Sequence, residues 1–186
     1  MDLRTPIATA RLTLRRLTLS DFDDHYRLFG DPVVARYLYT EPLDRSSAAD
    51  HLARRVRDGE RLDGEWLNLA VEENGRFLGE VGICQNSSAH RDFEIGFVLA
   101  PGEWGRGVAT EAAAALVDAA VERLGAHRVT GHLDARNAAS AAVLERLGMR
   151  LEAHFIANEW VKGEWCDELV YATLAEEWRA RRRGSP

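Results

Sequence analysis

Two short segments carry residue types and spacings that could do chemistry. In Leu99-Ala-Pro-Gly-Glu-Trp-Gly-Arg-Gly-Val-Ala-Thr-Glu-Ala112, glycines at 102, 105 and 107 separate an apolar run (Ile95 to Leu99) from a helical pattern. Glycines at a strand-to-helix junction let the backbone turn sharply and leave successive amide N–H groups facing one hollow. That hollow lies at the positive end of the following helix and suits a phosphate or pyrophosphate. A turn that needs its glycines only for shape fits the same residues. About thirty positions on, Asn137-Ala-Ala-Ser140 opens an amphipathic helix that Gly148 closes. Asn and Ser at a helix start are favoured as caps, and both are also good hydrogen-bonding groups for a ligand. Gly105-x-Gly107-x-x-Thr110 lacks the third glycine of a dinucleotide fingerprint and follows several strands. With no Gly-Lys-Ser/Thr, the chain has no nucleotide P-loop.

Taken together, the two segments resemble the Gcn5-related N-acetyltransferase (GNAT) superfamily, in its acyl-CoA loop and its Asn-x-x-Ser/Ala helix ending in Leu-Gly-Phe/Met. Trp104-Gly-x-Gly-x-Ala-Thr-Glu-Ala112 is similar to the loop of the ribosomal-protein N-terminal acetyltransferases, and the resemblance covers roughly residues 9–175. It implies an acetyl-CoA-dependent N-acetyltransferase acting by direct transfer in a ternary complex. The acceptor would be a primary amine: a protein N-terminus, including that of a ribosomal protein, or a small amine or antibiotic. A non-catalytic CoA-binding module of the same fold is the alternative from another class.

The resemblance also assigns residues. The backbone at Phe97, Val98 and Leu99 would lie beside the pantetheine arm and thioester, with the Leu99 N–H stabilising the oxyanion. Trp104, Gly105, Arg106, Gly107, Val108, Ala109 and Thr110 would form the phosphate loop. Apart from the resemblance, Arg106 and Arg136 or Arg146 could add side-chain charge near the phosphates, and they read equally well as solvated surface arginines. Asn137 would contact the pantetheine amides, and Ser140 would hydrogen-bond the leaving thiolate. Two carboxylates are candidates for the base that takes the amine proton. Glu159, in Glu159-Trp-Val-Lys-Gly163, matches the ribosomal-protein subgroup, and Glu94, on the strand before the loop, matches a position that works through water elsewhere.

The elements that must position these residues are legible as periodicities. Strands are expected at 11–17, 66–71, 77–85, 93–99, 127–133, 151–159 and 165–174, with Asn74-Gly75 as a hairpin turn. Helices are expected after a Ser20/Asp23 capping box, from Asp31-Pro32 to Leu38, from Ser46 or Ser47 to about Asp58, from Val108 to Leu124, and from Asn137 to Leu147. Phe22, Tyr26 and Phe29 share one helical face. Strands first, then strand–helix–strand–helix–strand, imply an α+β fold. The expected architecture is a single GNAT-like domain with a mixed, mostly antiparallel twisted sheet of about seven strands flanked by helices. The domain is expected over residues 1–178, followed by a basic C-terminal tail, 179–186.

Composition narrows the partners. The chain has 186 residues and a formal charge of −6. Without Arg179, Arg181, Arg182 and Arg183, the first 178 positions carry 20 basic against 30 acidic residues. Such a body argues against nucleic acid and favours a cationic substrate. The chain shows neither an apolar N-terminal h-region nor a membrane span, so a cytoplasmic location is expected. Cys84 and Cys166 form no C-x-x-C pair and read as reduced structural thiols. The six histidines lack metal-ligand spacing, so no metal is expected. The sequence leaves the oligomeric state open, a homodimer included.

Overall fold

Asn74 and Gly75 sit at φ 53° and 77°, the left-handed pair that a two-residue hairpin needs. They join β3 (Trp66–Glu73) to β4 (Arg76–Ser87). The computed structural model describes residues 3–57 and 64–184. Its strands continue as β5 (Asp92–Leu99), β6 (Arg128–Asp134), β7 (Arg150–Val161) and β8 (Glu164–Leu174), with β1 (Ile7–Ala8) and β2 (Thr13–Arg16) leading. They form one eight-stranded sheet in the order β1-β2-β3-β4-β5-β6-β8-β7. The strand beyond the expected seven is β1, too short for any periodicity to reveal. All neighbours are antiparallel except β5 and β6.

Helices cover both faces. On one lie α4 (Val108–Glu122), α5 (Ala138–Arg146) and α6 (Ala175–Gly184). Val108, Ala112, Leu116 and Ala119 pack inward with Leu69, Val81, Ile95 and Val129 in the main core. The other face carries α1 (Phe22–Phe29), α2 (Pro32–Ala35) and α3 (Arg45–Arg57), over smaller clusters around Leu52 with Ala70 and around Phe29 with Val98. Gly125 and Gly148 end the α4 and α5 segments in the left-handed conformation, at φ 68° and 79°.

Several boundaries differ from the expectation for local reasons. The first helical segment starts earlier than Ser20/Asp23. The Thr18 N–H donates to Asp21 at 2.8 Å, and Arg15 holds the same carboxylate, so a 3₁₀ turn precedes α1. Phe29 is buried on α1 beside His25 and Leu28, whereas Phe22 and Tyr26 stack farther out, with Arg45 over both rings. Asp44, not Ser46 or Ser47, caps α3, accepting from the Ser47 N–H at 2.7 Å. The expected end of that helix, Asp58, lies outside the described residues. Positions 179–184 continue α6, where Arg179 pairs with Glu122 and Arg182 with Asp118 of α4. The basic stretch is therefore docked rather than trailing, as far as it is described.

Candidate active site

The decisive geometry is a parting of strands. The parallel pairing of β5 with β6 runs through Asp92↔Arg128, Phe93↔Val129 and Glu94↔Thr130, and stops there. From Ile95 to Leu99, β5 stays on β4, while β6 from Gly131 to Asp134 stays on β8. A crevice of about 420 Å³ opens between them, lined by Glu94 to Val98 on one side and Gly131 to Asp134 on the other. Ala100 N–H donates to Leu78 O at 2.9 Å. Backbone direction alternates along a strand, so the Leu99 N–H points the other way, toward the gap.

Beyond Leu99 the chain enters the glycine loop. Gly105 and Gly107 have φ 75° and 77°. Nothing lies within 4 Å of the place a Gly105 Cβ would take, and only the Arg11 Nη2, at 3.7 Å, lies near that of Gly107. The first hydrogen bond of α4 runs from Glu111 N–H to Gly107 O. The amides of Val108, Ala109 and Thr110 therefore have no carbonyl one turn back. With the helix dipole behind them they form an anion cradle, and the site fits a pyrophosphate-bearing cosubstrate. Side chains brace the loop. Trp104 Nε1 donates to Leu99 O at 2.9 Å, and the buried Glu103 takes Arg76 at 2.6 Å and also Arg106. Glu111 accepts from Thr9 Oγ1 and from Arg11. Hydrogen bonding from Arg76, with Arg106 adding to it, holds the Glu103 carboxyl below the usual carboxylate range.

The expected arginines divide. Arg106 is turned to Glu103 and Glu73, and Arg136 to Asp134 and Glu164 at 2.6 and 2.8 Å, so both shape the site through carboxylates. Arg146 instead lines a second groove, of about 730 Å³, that begins at Gly107 and Thr110.

Asn137 and Ser140 lie on the α4 side of the crevice, at the start of α5. The Asn137 Oδ1 is spent as a cap, accepting from Ser140 N–H at 3.1 Å. Its amide nitrogen and the Ser140 hydroxyl have no partner among the described residues, and both side chains line the crevice. Gly131 lets α5 lie close, since a Cβ there would be 2.9 Å from Leu144 Cδ1.

Carboxylates gather on the opposite face. Glu94 lines the crevice and accepts from Asn86 Nδ2 at 3.1 Å. Glu159, half-buried opposite Cys166 on β7, stands outside the lining residues. The structure thus brings Glu94 together with Ser140 and leaves Glu159 farther out. Glu168, which sequence reasoning missed, accepts from Asn158 at 2.9 Å and pairs with His132 at 3.0 Å. Although much of Tyr39 faces solvent, its phenol is pushed up to about 12, by burial and then by Glu168, Glu159, Glu94 and Asp134. Four carboxylates thus act on one hydroxyl at the mouth. Cys84 and Cys166 are both buried thiols outside any disulfide, and burial pushes the Cys166 thiol up, which makes it a poor nucleophile.

Sequence reasoning also missed a closed circuit beside the crevice. Arg55 Nε donates to His51 Nε2 at 3.2 Å, and a guanidinium only donates, so His51 must carry its proton on Nδ1. That proton goes to His25 Nε2 at 3.0 Å, and His25 Nδ1 donates to Glu80 at 2.5 Å. Arg55 Nη1 closes the ring on Glu80 at 2.6 Å. Burial and the Arg55 charge hold His51 at about 3, so it is neutral at ordinary pH.

Comparison with known proteins agrees with this geometry. The Acetyltransferase (GNAT) domain family matches residues 11–150, and the chain belongs to that family. It is 28% identical over 172 residues to the uncharacterized N-acetyltransferase p20 of Bacillus licheniformis, covering 91% of this chain and 96% of that one. A GNAT-family acetyltransferase from Bacillus anthracis superposes with a TM-score of 0.83 at 25% identity, over 92% of this chain and 99% of the other. The spermidine N-acetyltransferase of Vibrio cholerae, solved with CoA and spermine, has the same fold. Its TM-score is 0.79 at 20% identity, over 92% and 99% of the two chains. The protein is an N-acetyltransferase that uses acetyl-CoA. Among the described residues no His, Cys, Asp and Glu side chains gather as a metal site, and no helix is long and apolar enough to cross a membrane.

Proposed function

We propose that the enzyme acetylates a primary amine on a positively charged acceptor, by direct attack within a ternary complex. The observation that carries this reading is the two-sided crevice. The anion cradle and α5 lie toward one face of the sheet, and Glu94, Glu159, Glu168 and Tyr39 lie toward the other. Anionic cosubstrate and cationic acceptor would then enter from opposite faces and meet where β5 and β6 part.

In this reading Glu94, directly or through water, takes the proton of the attacking amine. The amine nitrogen bonds to the carbonyl carbon as the carbon–sulfur bond breaks, and the Leu99 N–H meets the negative charge that develops on oxygen. The Ser140 hydroxyl hydrogen-bonds the departing sulfur, and the Asn137 amide nitrogen orients the pantetheine arm. Phe97 and Leu99, whose backbone groups face away from β4, offer the free strand edge to the same arm, with Val98 between them. The amides of Val108, Ala109 and Thr110 hold the pyrophosphate, Gly105 and Gly107 give it room, and Trp104 and Arg106 keep the loop in shape. Arg146 is placed to add a cation beside that loop. A protein N-terminus, including that of a ribosomal protein, is the second reading. It is supported by the Trp104–Ala112 segment and by Glu159, which would then act as the base.

The test is a thiol-release assay with acetyl-CoA against monoamines, diamines and peptides with free N-termini. Turnover with charged small amines and none with peptides supports the first reading. The reverse result supports the second.

A further inference from the structure

The crevice has an aromatic floor on its acceptor side. Trp66 opens β3, and its indole leans along the sheet over the paired residues Gly82 of β4 and Gly96 of β5. A Cβ at Gly82 would stand 2.9 Å from the ring's Cε3, and one at Gly96 would stand 3.4 Å from its Cη2 and Cζ3. The two glycines therefore leave room that the Cε3–Cζ3–Cη2 side of the ring fills. The residue is still 36% exposed and lines the crevice. Gly96 is two residues from Glu94 on the same face of β5, which sets the floor beside the proposed base.

Floor and charge point the same way. Of the arginines lining the crevice, Arg55 is neutralised by Glu80, while Arg54 is exposed. Beside that cation stands Glu94, and farther out lie Glu159 and Glu168, with no arginine or lysine bonded to any of the three among the described residues. An electron-rich indole face in a negative surrounding attracts a cation and excludes an anion.

We propose that Trp66 is a specificity-determining residue. Its exposed aromatic ring receives a second positive charge, carried on the acceptor at a distance from the amine that is acetylated. The proposal rests on the reading of the acceptor as a cationic primary amine, and it narrows that class to amines with at least two cationic centres.

The test compares an α,ω-diaminoalkane with the n-alkylamine of the same chain length, using wild type, Trp66→Ala, Trp66→Leu and Trp66→Phe. Wild type should prefer the diamine. Trp66→Ala and Trp66→Leu should each raise the diamine KM about tenfold, the scale of a desolvated cation–π contact, and leave its kcat near wild type. The KM for acetyl-CoA should not change, the monoamine should lose far less than the diamine, and Trp66→Phe should keep most of the preference. The leucine variant retains apolar area without a π face and so separates packing from charge. Equal losses for both amines, or an unchanged ratio between them, would overturn the proposal and leave the acceptor reading standing. A wild-type enzyme that turns over neither amine would remove both.

Discussion

Ser140 and Glu94 are where the chemistry becomes testable one atom at a time. The Ser140 hydroxyl matters when sulfur departs, so Ser140→Ala should lower kcat by roughly 10²-fold and leave the acetyl-CoA KM near wild type. Steady-state kinetics with a turned-over amine checks this, and an unchanged kcat would return Ser140 to a helix-start residue. The two carboxylates separate by pH. An α-amino group with a pKa of about 7.7–8.0 sheds its proton unaided near pH 8–9, while an alkylamine of about 10.4 does not. Glu94→Gln should therefore be most impaired near neutral pH. Its deficit should close by pH 9 for an N-terminal amine and persist there for an alkylamine. Glu159→Gln should stay close to wild type across the range, and the opposite pattern would move the base to Glu159. The helix start at Asn137 and Ser140 was legible because its spacing is local, and their candidacy for the site came from the family resemblance. Trp66 and Glu168 were not, because their roles arise from strand register and from glycines on neighbouring strands.

At the scale of elements, the loop between β5 and α4 and the seat of α1 and α3 carry the function. Gly107 sits at φ 77° as the residue before α4. Gly107→Val should therefore strain the loop and fill the amide hollow, abolishing the thermal shift given by CoA. Glu80 is 1% exposed and binds α1 through His25 and α3 through Arg55. Glu80→Ala leaves a largely buried guanidinium without its counter-ion, and denaturant unfolding should show a loss of about 3 kcal/mol. Acid acts through the loop's own brace. The Glu103 carboxyl titrates below its unfolded range because of Arg76. Its stabilisation is thus present above the unfolded value of about 4.3 and is lost as pH falls through the lower folded value. Glu103→Gln should flatten that part of the acid dependence of Tm. The glycine loop and the α4 and α5 ends were readable from sequence as turn and cap chemistry. The His25–His51–Glu80–Arg55 circuit was not, since His25 and Glu80 are 55 residues apart and nothing local joins them.

At the scale of the whole molecule, the sheet of the described residues parts between β5 and β6, and the candidate site lies in that parting. Strand content and the mixed topology followed from periodicity and from the position of the hairpin signal. The crevice did not, because it depends on where β5 and β6 stop pairing, which no pattern in either strand announces. An acidic body with an uncharged, amide-lined anion cradle fits the proposed arrangement, a polyanion held on one face and a cationic acceptor drawn to the other. Since only the folded state offers that cradle, CoA at about 100 times its Kd should add about 2.7 kcal/mol of stability. NADH should add none.

Whether the crevice joins acetyl-CoA to a cationic primary amine is tested most directly by mass spectrometry of the amine after incubation with acetyl-CoA, alongside thiol release. The account predicts one acetyl group on the amine for each thiol released, with both signals lost in a Gly107→Val, Glu94→Gln double variant. Thiol release without an acetylated amine, or an acetylated amine formed equally by the double variant, would contradict it.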